Sequence, residues 1–133
     1  MFLGQYFTKF TGKSRIILPK KFREEIKGAQ MILSRGFEGC IWGYDKKRFE
    51  EESRKQLEIS PAEERARVIR RYLFSGSAIV ELDDQGRFVI PSHLLSYAGV
   101  GKEVAIIGAG DYFEVWDKKS WEKYLEGIEK NAR

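Results

Sequence analysis

The sequence predicts an α+β fold. Two copies of one β-hairpin-and-helix unit interleave about a pseudo-twofold axis and share a small barrel-like core. Three observations lead to this expectation. First, the 133-residue chain repeats itself: Phe2, Gly4, Arg15 and Pro19 recur 72 positions later as Phe74, Gly76, Arg87 and Pro91. The run Asp45 to Glu50 recurs at the same offset as Asp117 to Glu122, and a constant offset at both ends marks a duplicated module. Second, each copy reads as two short strands, a proline, a helix, a hairpin and a closing helix. Third, one copy alone has about 60 residues, a size at which a hydrophobic core is marginal. Each half is therefore expected to complete the other's core.

The elements follow from local chemistry. Gln5 to Phe10 is rich in aromatic and β-branched residues, Thr11 to Ser14 reads as a turn, and Arg15 to Leu18 is a second strand stopped by Pro19. The second copy matches with strands Ala78 to Leu82 and Arg87 to Ile90 around the turn Asp83-Asp84-Gln85-Gly86, where Gly86 accommodates a positive φ. Ser14 stands where Gly86 stands, so the first turn is expected to have a different backbone. A short helix follows each proline. Lys20 to Lys27 carries Phe22 and Ile26 on one face, and Ser92 to Ala98 ends at Gly99. Strands Met31 to Ser34 and Gly39 to Tyr44, then Glu103 to Ile107 and Tyr112 to Trp116, form hairpins around glycine-rich loops. Asp45 and Asp117 are expected to cap the helices Lys46 to Leu57 and Lys118 to Ile128. Between the copies, Ser60-Pro61-Ala62-Glu63 reads as a capping box, and Ala62, Ala66, Ile69 and Leu73 form an apolar stripe. The chain thus divides into a first repeat over 1–58, a linker helix over 59–73, a second repeat over 74–129 and a short fraying tail over 130–133.

Composition narrows the function. The chain is 42% hydrophobic and 33% charged, as expected of a folded soluble protein. No apolar run approaches the ~20 residues that span a bilayer, and Lys9 interrupts any secretory pattern, so the expected location is the cytoplasm. Cys40 is the single cysteine, which excludes an intrachain disulfide. There is no glycine-rich phosphate loop, no metal-ligand spacing and no acid–base pair, so neither an enzyme, a metal nor a cofactor is expected. His93 stands alone and reads as an ordinary helix residue. Cys40 reads as a small buried hydrophobe, and the strand aromatics as core or subunit interface.

The charge pattern says more than the net charge of +4. From Lys9 to Arg23 there are six cations (Lys9, Lys13, Arg15, Lys20, Lys21 and Arg23) and no acid. The matching stretch of the second copy, Glu81 to Leu95, holds Arg87 alone against Glu81, Asp83 and Asp84. The repeat was kept in fold and changed in charge. A purely structural repeat gives no reason for that difference, whereas a surface that meets phosphate does.

Around Lys13-Ser14-Arg15-Ile16-Ile17-Leu18-Pro19 and Asp83-Asp84-Gln85-Gly86-Arg87-Phe88-Val89-Ile90-Pro91 the text resembles the MraZ family, within the AbrB/SpoVT-type superfamily of swapped-hairpin DNA-binding proteins. The opening M-F-L-G, the linker Ser60 to Gly76 and the segment F-E-V-W-D strengthen the resemblance, which runs from Met1 to about Ile128. The resemblance implies duplicated swapped-hairpin units in a double-psi-like β-barrel core. It also implies a transcriptional regulator, cytoplasmic or nucleoid-associated, that assembles as a homo-oligomeric ring, often an octamer. Such proteins bind repeated short G-rich boxes in double-stranded DNA upstream of the division and cell-wall gene cluster and repress their own operon. The family's DNA contact falls on Arg15. The hallmark Asp…Gly-Arg loop is kept as Asp83, Gly86 and Arg87, while the first copy has Thr11 and Ser14 in place of the aspartate and glycine.

On this reading Lys13 and Arg15 approach base edges, where an arginine places two donors on guanine. Lys9, Lys20, Lys21 and Arg23 hold the phosphate backbone. Arg87, with Asp83 four residues before it, braces its own loop. The plainer alternative is that Lys20, Lys21 and Arg23 are a solvated helix face, and that Arg67, Arg70 and Arg71 are another or an interprotomer contact. Two other functions remain open at this point: an AbrB-type antitoxin, and a structural ring without specific DNA binding.

Overall fold

The computed structural model describes residues 1–132. It places the strands β1 (Gln5–Lys9), β2 (Arg15–Ile17), β3 (Gln30–Arg35), β4 (Ile41–Asp45), β5 (Ala78–Glu81), β6 (Arg87–Val89), β7 (Glu103–Gly108) and β8 (Phe113–Asp117). The helices are α1 (Lys20–Arg23), α2 (Lys46–Leu57), α3 (Glu64–Ser75), α4 (Ser92–Ala98) and α5 (Lys118–Ala132). The α+β expectation holds.

Six strands form one antiparallel sheet in the order β1-β7-β8-β4-β3-β5, and β2 pairs with β6 as a separate ribbon. Only the hairpins β3–β4 and β7–β8 stay within one copy. Every other strand pairing, β1–β7, β5–β3, β4–β8 and β2–β6, joins one copy to the other. The pairs Trp42↔Glu114 and Ile16↔Phe88 map onto themselves at the 72-residue offset, so the pseudo-twofold passes through both. A closed barrel is not formed by this pairing. β1 and β5 are the two edges of the large sheet, and the ribbon covers one of its faces.

The repeat is less regular than a single offset suggests. Met31 and Leu33 share the central core with Val104 and Ile106, which is an offset of 73. One residue has been added ahead of β7. One has been removed after it, since the loop between β3 and β4 spans residues 36–40 and that between β7 and β8 spans 109–112. The two changes cancel, and β4 and β8 return to an offset of 72.

The core lies between the sheet and the ribbon. Ile16, Leu18, Phe88 and Ile90 point inward from the ribbon side onto Met31, Leu33, Ile41, Val104, Ile106 and Phe113. Phe2, Phe22 and Phe113 pack within 6.0 Å of one another and fill one end. The opposite face of the sheet holds a second cluster under α5, where Trp121 meets Trp116 at 5.5 Å. Phe49 occupies the equivalent place against Tyr44, at 5.6 Å.

Several boundaries differ from the sequence expectation for physical reasons. α1 ends at Arg23, and the next turns close by bonds to the third residue back, Glu25 N to Phe22 O and Ile26 N to Arg23 O. Phe22 and Ile26 are buried all the same. α3 begins at Glu64 because Ser60 does not cap it; its hydroxyl accepts from the Ala62 amide in a local turn. Ala66 is buried on α3, but Ile69 is 41% exposed, so the expected stripe is not continuous. α5 runs on through Ala132, where a frayed tail was expected. Asp45 caps nothing on α2 and accepts the Lys27 amide at 2.8 Å. Asp117 accepts both the Gly101 amide and, as a cap, the Ser120 amide at 3.3 Å.

Gly43 lies opposite Phe113 across the central pair, and a Cβ there would collide with the Phe113 ring. Gly43→Ala is expected to cost about 1–3 kcal/mol through overpacking. In a Phe113→Leu background the same change is expected to cost less than it does alone. Urea unfolding of the two single variants and the double variant checks the coupling, and strict additivity would contradict it.

Candidate nucleic-acid interface

The two equivalent loops that lead into the ribbon, residues 11–14 and 83–86, are built differently, and the difference decides what their arginines can do. In the second copy Asp83 organises everything. Its Oδ1 accepts the backbone amides of Gln85 (2.9 Å) and Arg87 (2.8 Å). Its Oδ2 accepts Arg87 Nε at 2.8 Å, so the guanidinium is held against its own loop. Gly86 takes φ +77° to close the turn. The Arg23 side chain, from the other copy, crosses over Gly86 and donates to Gln85 O at 3.3 Å. A side chain on residue 86 would displace it.

The first copy lacks this clamp. Thr11 Oγ1 accepts nothing from Arg15; it donates to the Arg15 carbonyl at 3.3 Å. The left-handed residue has moved to Gly12, φ +73°, so Ser14 needs no positive φ. Among the described residues Arg15 is exposed and no carboxylate pairs with it. One arginine is tied down and its equivalent is free.

Register places the cations. Arg15 lies opposite Val89 and Ile17 opposite Arg87, while Ile16 and Phe88 point into the core. The outer face of the ribbon therefore carries Arg15, Ile17, Arg87 and Val89. Lys13 is exposed in the turn beside Arg15, and Lys9 is exposed at the end of β1, paired across to Glu103. Lys20 and Lys21 are exposed at the other end of the ribbon, beyond the point where the Leu18 amide donates to Gly86 O. The predicted basic set thus divides into two groups at opposite ends of one short ribbon. Arg23 stands apart from both, turned onto the second loop. A shallow cleft of about 300 Å³ beside the ribbon is lined by Arg15, Arg87 and Val89 together with Glu81 and Asp83.

Other singled-out residues have structural partners. Arg67 donates to the carbonyls of Pro61 and Ala62, and Arg70 to those of Leu57 and Ile59, so both pin the α2–α3 connection and neither is a merely solvated face. His93 meets the Gly76 carbonyl at the end of α3 (3.1 Å). Cys40 is buried, donates to Phe37 O, and burial pushes its thiol far up, the opposite of an activated nucleophile. No group of three or more metal-ligating side chains occurs among the described residues. The outward-facing Ile17 and Val89 were not singled out from sequence, although strand alternation alone assigns them to the face of Arg15 and Arg87.

Amide hydrogen bonds from Arg87 and Gln85 and the Arg87 side chain hold the Asp83 carboxyl below the usual carboxylate range. A carboxylate lowered in the folded state contributes order that is full above its ordinary pKa and is lost as pH falls through the lowered value. The Arg87 Nε–H and the Gln85 amide are expected to report one shared acid transition by NMR below the ordinary carboxylate range. Asp83→Asn is expected to remove that transition and free the Arg87 side chain, leaving the Arg15 signals unmoved.

The comparisons agree with this duplicated architecture. The chain matches the family model described as "MraZ protein, putative antitoxin-like" twice, over residues 1–72 and 73–133. A Finegoldia magna protein named transcriptional regulator MraZ is 42% identical over 124 residues, covering 93% of this chain and 86% of the relative. A protein of the same name from Paenarthrobacter aurescens is 42% identical over 125 residues, covering 94% and 87%. That from Clostridium acetobutylicum is 38% identical over 133 residues, covering 99% and 93%. By both the family match and these relatives, the chain belongs to the MraZ family.

Proposed function

We propose that this chain is a sequence-specific DNA-binding transcriptional regulator that reads double-stranded DNA through its first hairpin loop. The observation that carries the reading is the contrast between Arg15, exposed and without a carboxylate partner, and Arg87, clamped by Asp83. A free guanidinium at a loop end can place two donors on the O6 and N7 of guanine. Lys13 joins it at base edges, and Lys9, Lys20 and Lys21 supply phosphate contacts that release counterions. Arg23 acts through the second loop instead. Asp83, Gly86 and Arg87 are loop-structuring residues. The names of the relatives support a regulator.

The finer reading is that the targets are repeated short boxes upstream of the division and cell-wall cluster, bound so as to repress the protein's own operon. In this reading the fold is a fused pair of swapped-hairpin repeats, 1–58 and 74–129, joined by the linker. The protein works in the cytoplasm at the nucleoid; no described helix is long and apolar enough to cross a membrane. It assembles as a ring, with the octamer as the expected size. Two unlike apolar patches support assembly: Leu57, Ile59, Val68 and Ile69 around the α2–α3 junction, and Tyr124 and Ile128 on α5. Unlike patches favour head-to-tail contacts, which give a ring where the rotation between protomers closes. A ring carries several Arg15 loops at fixed spacing, so repeated boxes are bound with avidity.

In gel-shift titrations on the DNA upstream of this gene, Arg15→Ala is expected to weaken specific binding by about 5- to 150-fold, the equivalent of about 1–3 kcal/mol. Lys20→Ala is expected to weaken all duplexes alike and to lower the salt slope by about 0.9 if one phosphate is held. Unchanged preference over competitor in Arg15→Ala would overturn the reading. Ile69→Glu is expected to lower the mass seen by light scattering while the circular dichroism spectrum stays that of the wild type.

A further inference from the structure

The outer face of the β2–β6 ribbon is not uniformly basic. Between Arg15 and Arg87 lie two aliphatic side chains, Ile17 at 43% and Val89 at 47% exposure. The register puts Val89 directly across from Arg15 and Ile17 directly across from Arg87. Ile16 and Phe88, at 0% and 1%, already satisfy the core from the same strands. Ile17 and Val89 lie outside the central core cluster, on the outer face of the ribbon. They form a small apolar centre framed by two guanidiniums at diagonal corners.

We infer that Ile17 and Val89 are specificity-determining contacts that meet thymine C5-methyl groups in the major groove of the DNA engaged by Arg15. The inference rests on the DNA-reading role proposed above and adds to it which base the ribbon prefers beside the guanine. Three physical points favour this occupant. A two-stranded ribbon is of a size the major groove admits, and the methyl of thymine is the apolar feature displayed there. Residues two apart on a strand lie about 6.6 Å apart, close to two base-pair steps of 3.4 Å, so Arg15 and Ile17 can address bases about two pairs apart. Val89 lies within about 5 Å of Arg15 across the strands and can touch a base next to the one Arg15 contacts. A second copy of this chain is a poor occupant. Face to face it would set the Arg15 side chains of both copies against one another, and like charges opposed in this way repel. Of the two carboxylates that line the cleft with Arg15, Asp83 is held by Arg87 at 2.8 Å. The exposed Lys13 on the Arg15 side and Lys20 and Lys21 beyond the ribbon leave that apolar centre flanked by cations suited to phosphate.

The test uses the full-length protein. A preferred site is selected from a random duplex pool with the wild type. It is then remade with deoxyuridine at each thymine in turn, which removes only the methyl group. Wild type is expected to lose about fourfold in affinity per contacted methyl, the worth of one buried methyl-sized group, at thymines within about two base pairs of the guanine read by Arg15. Ile17→Ala and Val89→Ala are each expected to become indifferent to one of these substitutions while keeping the guanine preference. Arg15→Ala is expected to lose the guanine preference. Because the methyl is removed from the DNA, the wild-type result does not depend on how any variant folds. A selected site without a preferred thymine, or a wild type indifferent to deoxyuridine, overturns the inference and leaves the regulator reading standing. An alanine double variant that still discriminates the methyl overturns it as well. A pool that yields no preferred site overturns both.

Discussion

Each copy's first strand finds its partner on the third strand of the other copy, β1 on β7 and β5 on β3. A strand with unmade backbone hydrogen bonds is costly wherever water is excluded. Separating the halves would strand both edges and also open the ribbon, whose inward residues Ile16 and Phe88 come from different copies. Everything else depends on this exchange. It holds the two hairpin loops at opposite ends of one short ribbon, and it builds a single interior out of two units too small to bury one alone. Both loops are therefore fixed by the most deeply shared part of the molecule.

Fusion into one chain has a chemical consequence. In a dimer of identical subunits both loops carry the same residues, so a clamp that steadies one arginine steadies the other. Here the two loops are free to differ. The second keeps Asp83 and becomes a rigid brace that the Arg23 side chain leans on from across the axis. The first gives up the aspartate, and with it the neutralising charge, and leaves Arg15 extended to solvent. Rigidity and reach are assigned to different copies of the same motif.

Much of this was legible in the chain. Pro19 and Pro91 stop strands, Gly99 ends a helix in the left-handed region, and the constant offset announces two copies. The brace formed by Arg87 was legible too, because Asp83 and Arg87 lie four residues apart. What was not legible depends on distant partners. Arg23 looks like one more cation in a basic run until the fold brings Gln85 O, 62 residues away, within 3.3 Å. Arg67 and Arg70 look like a wet helix face until the α2–α3 connection turns back and presents its carbonyls. Asp45 has the position of a cap, yet the Lys27 amide competes for it and wins. Ser60 likewise spends its hydroxyl locally, and α3 starts later than its composition suggests.

The paired one-residue changes on either side of β7 show how this chain can lengthen. Side chains in a strand alternate between faces, so a single insertion would turn Val104 and Ile106 outward and bring their neighbours in. The protein instead takes one residue in ahead of the strand and gives one back in the following hairpin loop, so the inward set stays inward and the central β4–β8 pair keeps its register. Comparing the two halves at one fixed offset therefore matches Met31 and Leu33 of the central core with Glu103 and Ala105, which lie on the other face of β7, and a gap on each side of that strand restores the true correspondence.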